Sequence, residues 1–252
     1  MFLWKDRLRA AGIHLALSLL VATLAAVLVF GLWYPYPYRE ISGGRELFLI
    51  VVAVDIVLGP LITFAIFNRA KPMTELRRDL VIVVALQLAG LSYGLWTVAV
   101  ARPVHLVFEI DRFRVVHAID VPDELLEGRR SHLSSMPWTG PTLLSVRSFH
   151  NSQESFDATV GALQGLQLGF RPDLWQSYEA ARADVLKAAK PVEELKKRLP
   201  AKAQEIDMTL AQAARSPAAT AYVPLAGRNS FWTAFVDPST AQVVGFMPLD
   251  SF

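Results

Sequence analysis

Cysteine is missing from all 252 residues. Its absence excludes disulfides, thiolate metal sites and a cysteine nucleophile, and it leaves the compartment open, because exported domains also do without it. An excess of charge of one sign is lacking too: 25 Lys and Arg stand against 23 Asp and Glu, a formal net charge of +2. With no basic run to track a phosphate backbone, nucleic acid is not expected as a partner. No glycine-rich loop follows a strand, so no phosphate cradle and no cofactor is expected. Ser134, Ser135, His132 and His150 show no nucleophile-elbow pattern, and no catalytic residue is assigned. His105 and His117, in one predicted hairpin with Glu109 and Asp111 nearby, lack paired metal-ligand spacing, so no metal site is expected.

Hydrophobic residues make up 53% of the chain, and they are unevenly spread. Three apolar spans, Ile13 to Trp33, Glu46 to Phe67 and Leu80 to about Val100, are each about 20 residues, long enough to cross a bilayer as helices. Lys5, Arg7 and Arg9 precede the first as in a secretory signal, but its apolar stretch is too long for one. It ends in Trp33, Tyr34, Tyr36 and Tyr38 with no small-residue cleavage site, and so reads as an uncleaved anchor with an interfacial aromatic belt. The tail before it and the loop with Arg69, Lys71, Arg77 and Arg78 are basic, whereas Arg39 and Arg45 in the other loop are balanced by Glu40 and Glu46. The positive-inside bias therefore places the N-terminus in the cytoplasm and everything after the third span on the far side, the periplasm of a bacterium with two membranes. The expected domains are a three-helix transmembrane region, residues 1–100, and a periplasmic domain, residues 101–252.

Asp55 lies near the middle of the second span. A carboxylate there costs roughly 2.5–3.5 kcal/mol on insertion scales, which some contact or function must offset. Three readings stand: a hydrogen-bonded group that sets helix register, a dock for a polar group on a partner's membrane helix, or a site of ion or proton transfer. Gln87 and Tyr93 on the third span are candidate partners for it. On that span Gln87, Gly90, Leu91 and Gly94 share a face, with Gly90 and Gly94 spaced for close helix approach. Ser18, Ala22, Ala25 and Ala26 form a small-residue stripe on the first. Pro60 lacks an amide hydrogen, so Gly59-Pro60 is expected to kink the second helix and free backbone acceptors. His14 reads as an interfacial residue near the cytoplasmic end of its span.

Past the third span, Val104 to Glu109 and Phe113 to Ala118 read as a β-hairpin and Thr142 to Val146 as a short strand. Pro122 to Gly140 is irregular, with one helical turn at Glu124 to Glu127. Helical spacing then governs Ser152 to Leu163, Asp173 to Ala189, Pro191 to Leu199 and Ala201 to Ala214. Thr220 to Pro224, Phe231 to Val236 and Gln242 to Met247 close the chain as strands. Strands at both ends with helices between predict an α+β domain with an antiparallel sheet.

The combined motifs resemble the TfpX/TfpZ-type accessory proteins of type IV pilins. The resemblance rests on Gly12-Ile13-His14-Leu15, Trp33-Tyr34-Pro35, Ser42-Gly43-Gly44 and Val54-Asp55-Ile56-Val57-Leu58-Gly59-Pro60-Leu61. It continues with Gln87-Leu88-Ala89, Tyr93-Gly94, Ala101-Arg102-Pro103-Val104, Asp111-Arg112-Phe113 and Val115-Val116. It implies a non-enzymatic, chaperone-like protein of the bacterial inner membrane that helps a cognate major pilin assemble into pili. On that reading Asp55, Gly59, Pro60, Gln87, Gly90, Tyr93 and Gly94 form the partner-binding face, in contact with the lipid bilayer and the pilin helix. The alternative is a membrane-tethered periplasmic sensor, which would need a separate output partner because the cytoplasmic segments are too short to fold.

Overall fold

In the computed structural model, residues 2–126 and 136–252 are described; His132, Ser134, Ser135 and Glu127 lie outside the described residues. The chain divides into two units, Met1–Ala101 and Arg102–Phe252.

Leu- and Ala-rich sequence with no internal proline carries the first helix, α1, over Phe2–Ala26. Its last turns widen into a π-helical segment, Val27–Trp33, where the Tyr34 N–H reaches back five residues to the Val29 carbonyl at 2.7 Å. A single turn, α2 (Tyr38–Ile41), leads through Gly43, at φ 66°, into α3 (Gly44–Ile66), and Pro72 precedes α4 (Met73–Val100). All three long helices are apolar enough to cross a membrane. Leu20, Leu24, Val54, Leu58, Ile82 and Leu86 point away from the protein, where only an apolar medium removes them from water.

Within this unit α3 packs against both α1 and α4. At one end Arg7 Nε donates to the Phe67 carbonyl at 2.9 Å, just past α3, and Arg69 pairs with Asp6 at 3.4 Å. At the other, the Tyr34 hydroxyl donates to the Val98 carbonyl at 3.0 Å, one of the last-turn carbonyls of α4 that no helical N–H can reach. This alters the expected aromatic belt: Trp33 and Tyr34 are buried in a cluster with Ala25, Val29, Phe48, Val52 and Val98, and Tyr36 is exposed. Gly44 is required beneath Tyr34, because a Cβ there would run into the ring.

In the second unit β1 (Pro103–Glu109) and β2 (Arg112–His117) form the expected hairpin, in antiparallel register from Glu109 opposite Arg112 to Pro103 opposite His117. A short turn, α5 (Asp123–Leu126), precedes β3 (Thr142–Val146) and α6 (Ser152–Leu163), the latter capped by the Asn151 side chain accepting the Glu154 N–H at 2.8 Å. Next come β4 (Trp175–Ser177), α7 (Arg182–Ala188), β5 (Lys190–Pro191), α8 (Val192–Arg198) and α9 (Ala203–Gln212). Strands β6 (Ala221–Ala226), β7 (Phe231–Val236) and β8 (Val243–Met247) follow. The sheet runs β4-β3-β1-β2-β6-β7-β8, with β5 pairing to β6. Helices α8 and α9 cover one part of it through Val192, Leu195, Ile206 and Leu210 against Tyr222, Phe235 and Met247. A separate cluster gathers Val104, Val107, Val116, Leu144 and Trp175.

The antiparallel sheet is borne out with one addition, and one expected helix changes. The sheet is mostly antiparallel but mixed, since β1 with β3 and β2 with β6 are parallel. Parallel neighbours need long crossovers, which leave no mark on local alternation. The helix expected over Asp173 to Ala189 is confined to α7, because Trp175 to Ser177 extend to pair with Val146 to Leu144. The Trp175 indole N–H donates to the Gly169 carbonyl at 2.8 Å and the Ser145 hydroxyl to the Ser177 carbonyl at 3.1 Å. These tertiary bonds outweigh an Ala-rich helical preference worth only tenths of a kcal/mol per residue.

Two carboxylates make this unit sensitive to acid. Glu154 is held down at about 2 by the Arg147 guanidinium, at 2.6 Å and 3.0 Å, and by the His150 N–H. Asp237 is held at about 2 by the hydroxyl and N–H of Ser239 and by the Thr240 N–H. Both groups ionise more readily folded than unfolded, so their stabilisation is complete above the unfolded carboxylate value and is lost as pH falls through the folded one. The urea midpoint should therefore decline between about pH 5 and about pH 2. The decline should be shallower in Glu154→Gln, Asp237→Asn; an unchanged pH profile in that double variant would contradict the assignment.

Candidate functional site

One polar residue from each of α1 and α4, His14 and Gln87, converges with Thr63 and the Asp55 backbone of α3. Gln87 of α4 donates through Nε2 to the Asp55 backbone carbonyl of α3 at 3.1 Å, while its Oε1 meets Nε2 of His14 on α1. The other ring nitrogen of His14, Nδ1, lies 2.6 Å from the Thr63 hydroxyl of α3. An amide oxygen can only accept, so Nε2 of His14 carries the hydrogen, and Nδ1 is satisfied by the Thr63 hydroxyl. One imidazole thereby links all three helices. Each bond lies in an apolar setting where an unmade one would be costly.

The backbone explains why these positions are open to one another. Gly59 is buried against Gln87, and a Cβ there would run into the amide. Pro60 denies a helical donor to the Ile56 carbonyl, and one residue upstream the Asp55 carbonyl takes the extra bond from Gln87. The helix itself continues through Pro60 to Ile66. Gly94 is buried against Val51, whose Cγ1 would lie 2.5 Å from an added Cβ. Gly90 faces open space, and Tyr93 is exposed with its ring 5.9 Å from that of Trp96.

Of the seven positions singled out from sequence, the structure thus brings Asp55, Gly59, Pro60 and Gln87 together, sets Gly94 in helix packing, and leaves Gly90 and Tyr93 on the outer surface of α4. Gln87 meets the backbone of Asp55 and not its carboxyl group, and Tyr93 meets neither. His14 and Thr63 were not anticipated. The available signal for His14 was depth: α1 starts before the basic residues, and seven residues beyond Arg7 amount to about 10 Å of helical rise.

Beside the cluster, a cavity of about 430 Å³ opens between α1 and α4 with α3 as its floor. Its walls are apolar, from Ile13, Leu17 and Val21 on α1 and Val84, Leu88 and Leu91 on α4; Asp55 and His14 contribute to the lining. The Arg102–Phe252 unit has a second cavity of about 500 Å³, bounded by Phe108, Ile110, Arg147, Phe149 and Lys187. Among the described residues no group of three or more His, Asp or Glu is placed to hold a metal ion.

Helices and sheet together define a membrane protein with three apolar helices, a polar cluster inside their bundle, and a mixed-sheet domain following them. A family model described as fimbrial assembly protein FimB matches residues 2–43. Fimbrial assembly proteins of Dichelobacter nodosus serogroups I and E1 are 34% and 33% identical to the chain, in each case over 97% of this chain and 95% of the relative. That of serogroups C1 and C2 is 40% identical over 45% of this chain and 86% of its own length. The chain belongs to the fimbrial assembly protein family. No solved structure matches it.

Proposed function

We propose that the protein is an accessory factor of pilus biogenesis in the bacterial inner membrane, chaperone-like and non-enzymatic, of the TfpX/TfpZ type. It promotes or modulates the assembly of a cognate major type IV pilin, with its Arg102–Phe252 domain in the periplasm. The observation that carries this reading is relatedness along nearly the whole chain to proteins named for fimbrial assembly. A pilin awaiting assembly has an apolar helix in the bilayer and a globular head outside it. A helper therefore needs a membrane face and an exported surface, and three apolar helices followed by a sheet domain supply both. In this reading Gly59, Pro60, Gln87 and Gly94 shape the membrane unit, Asp55 faces the partner helix, and Gly90 and Tyr93 stay on the outer surface of α4.

Replacing Asp55 with Ala should leave the protein in the membrane and lower surface piliation roughly three- to tenfold, the scale of one polar contact between membrane helices. Sheared pilin measured against total pilin reads this, and unchanged piliation refutes a docking role. A phosphatase reporter fused after Phe252 should be active only when exported. Activity of a cytosolic reporter at the same position would remove the periplasmic placement.

A further inference from the structure

The cavity between α1 and α4 can be characterised by what its lining still lacks. Both nitrogens of His14, both ends of the Gln87 amide and the Thr63 hydroxyl are engaged within the cluster. The Asp55 carboxyl group differs: it borders the cavity with the His14 ring near enough to act on its charge and the Ser18 hydroxyl in the same lining, yet among the described residues it accepts no hydrogen bond from either. The rest of the lining is almost wholly apolar. An acidic group left in such surroundings calls for a donor from outside the chain. The occupant must be apolar over most of its surface to suit the walls and must bring one positive or hydrogen-donating group to Asp55. A space of about 430 Å³ admits a few side chains but not a whole helix, so the occupant lies along the opening and inserts side chains.

We infer that this opening seats the apolar membrane helix of a partner protein that carries one cationic or N–H-donating group at the level of Asp55, and that Asp55 reads that group. His14 and Thr63 act as positioning residues: they fix Gln87, which holds the Asp55 turn by its backbone carbonyl. The inference rests on the reading that the membrane unit engages a pilin helix, and it adds the chemistry by which that helix is recognised.

The test uses the full-length protein, donor-labelled and reconstituted in phosphatidylcholine vesicles. Acceptor-labelled synthetic Leu/Ala membrane helices bear a single Lys, Met or Glu at the depth of Asp55, and energy transfer reports their association. The Lys helix should associate about tenfold more tightly than the Met helix, with the Glu helix weakest, and Asp55→Asn should erase the order. Equal association of the Lys and Met helices with the wild-type protein overturns the inference, as does an order that survives in Asp55→Asn. Energy transfer between copies that the Lys helix cannot displace would make a second copy the occupant, and quenching by brominated lipid that the Lys helix leaves unchanged would make it lipid; either result also overturns it. Because the three helices are compared on the wild-type protein, the outcome stands even if Asp55→Asn misfolds. Lost piliation in Asp55→Ala without a Lys preference would retain the pilus role and remove this inference. A Lys preference with normal piliation would keep the recognition chemistry and remove the pilin as the partner whose helix Asp55 reads.

Discussion

Glu109→Ala should lower the unfolding free energy of the Arg102–Phe252 unit by about 3–5 kcal/mol, the usual cost of removing one member of a buried, hydrogen-bonded ion pair. Glu109 is 5% exposed at the end of β1. Its two oxygens each lie 2.9 Å from Nε of Arg114, and Oε1 also accepts the Gly169 N–H at 2.5 Å. A Cβ on Gly169 would lie 2.7 Å from that same oxygen, so the turn can approach the carboxylate only with glycine there. Removing the carboxylate strands the Gly169 N–H and leaves the half-buried Arg114 with only a long bond to Gln167 at 3.4 Å and the face of Phe170. Glu109→Gln keeps an acceptor and loses the charge, so its loss should be about half as large. Urea unfolding of the full-length protein in detergent, followed by tryptophan fluorescence, reads both variants, since the Trp175 indole is bonded to the Gly169 carbonyl. Equal midpoints for wild type and Glu109→Ala would show that the pair does not hold the hairpin to the turn.

Gly59→Val should disrupt the membrane unit by roughly 2–5 kcal/mol, combining overpacking with the loss of polar contacts between the helices. The added side chain takes the place of the Gln87 amide, which must then release both the Asp55 carbonyl and His14. Gly90→Val is the matched control on α4, where nothing lies within 4 Å of the added Cβ, and its stability should stay at the wild-type value. Unfolding in mixed micelles with increasing dodecyl sulfate, followed by far-ultraviolet circular dichroism, separates the two. If Gly59→Val resists unfolding like the wild type, the close approach of α3 and α4 at this glycine is not what secures the cluster. A loss of piliation in Gly90→Val at unchanged stability would place the partner on the outer face of α4.

Much of the architecture was legible from local pattern. The three apolar runs, the β1–β2 hairpin, β3, α6 and β7 all follow from periodicity and punctuation, which are properties of contiguous residues. The stretch from Trp175 to Ser177 was not legible. Its Ala-rich surroundings favour a helix, and only pairing with β3, far away in the chain, draws it out as a strand. The polar cluster was half legible. A carboxylate and an amide in apolar spans announce themselves, so Asp55 and Gln87 were evident, and the glycines and Pro60 marked where helices could approach. His14 was hidden behind the basic residues of the N-terminal tail, which made an interfacial location the simpler reading of its position.

By itself the sequence determined that three helices are apolar enough to cross a membrane and that a domain of strands and helices follows them, since hydrophobicity and its period are properties of contiguous residues. Tertiary structure alone decided that β1 lies parallel to β3 and β2 to β6, that Trp33 and Tyr34 turn inward, and that His14 and Thr63 join Gln87 and the backbone of Asp55. Those contacts join residues from separate elements. Their energies depend on how helices and strands meet in space, a relation that no local window of residues contains.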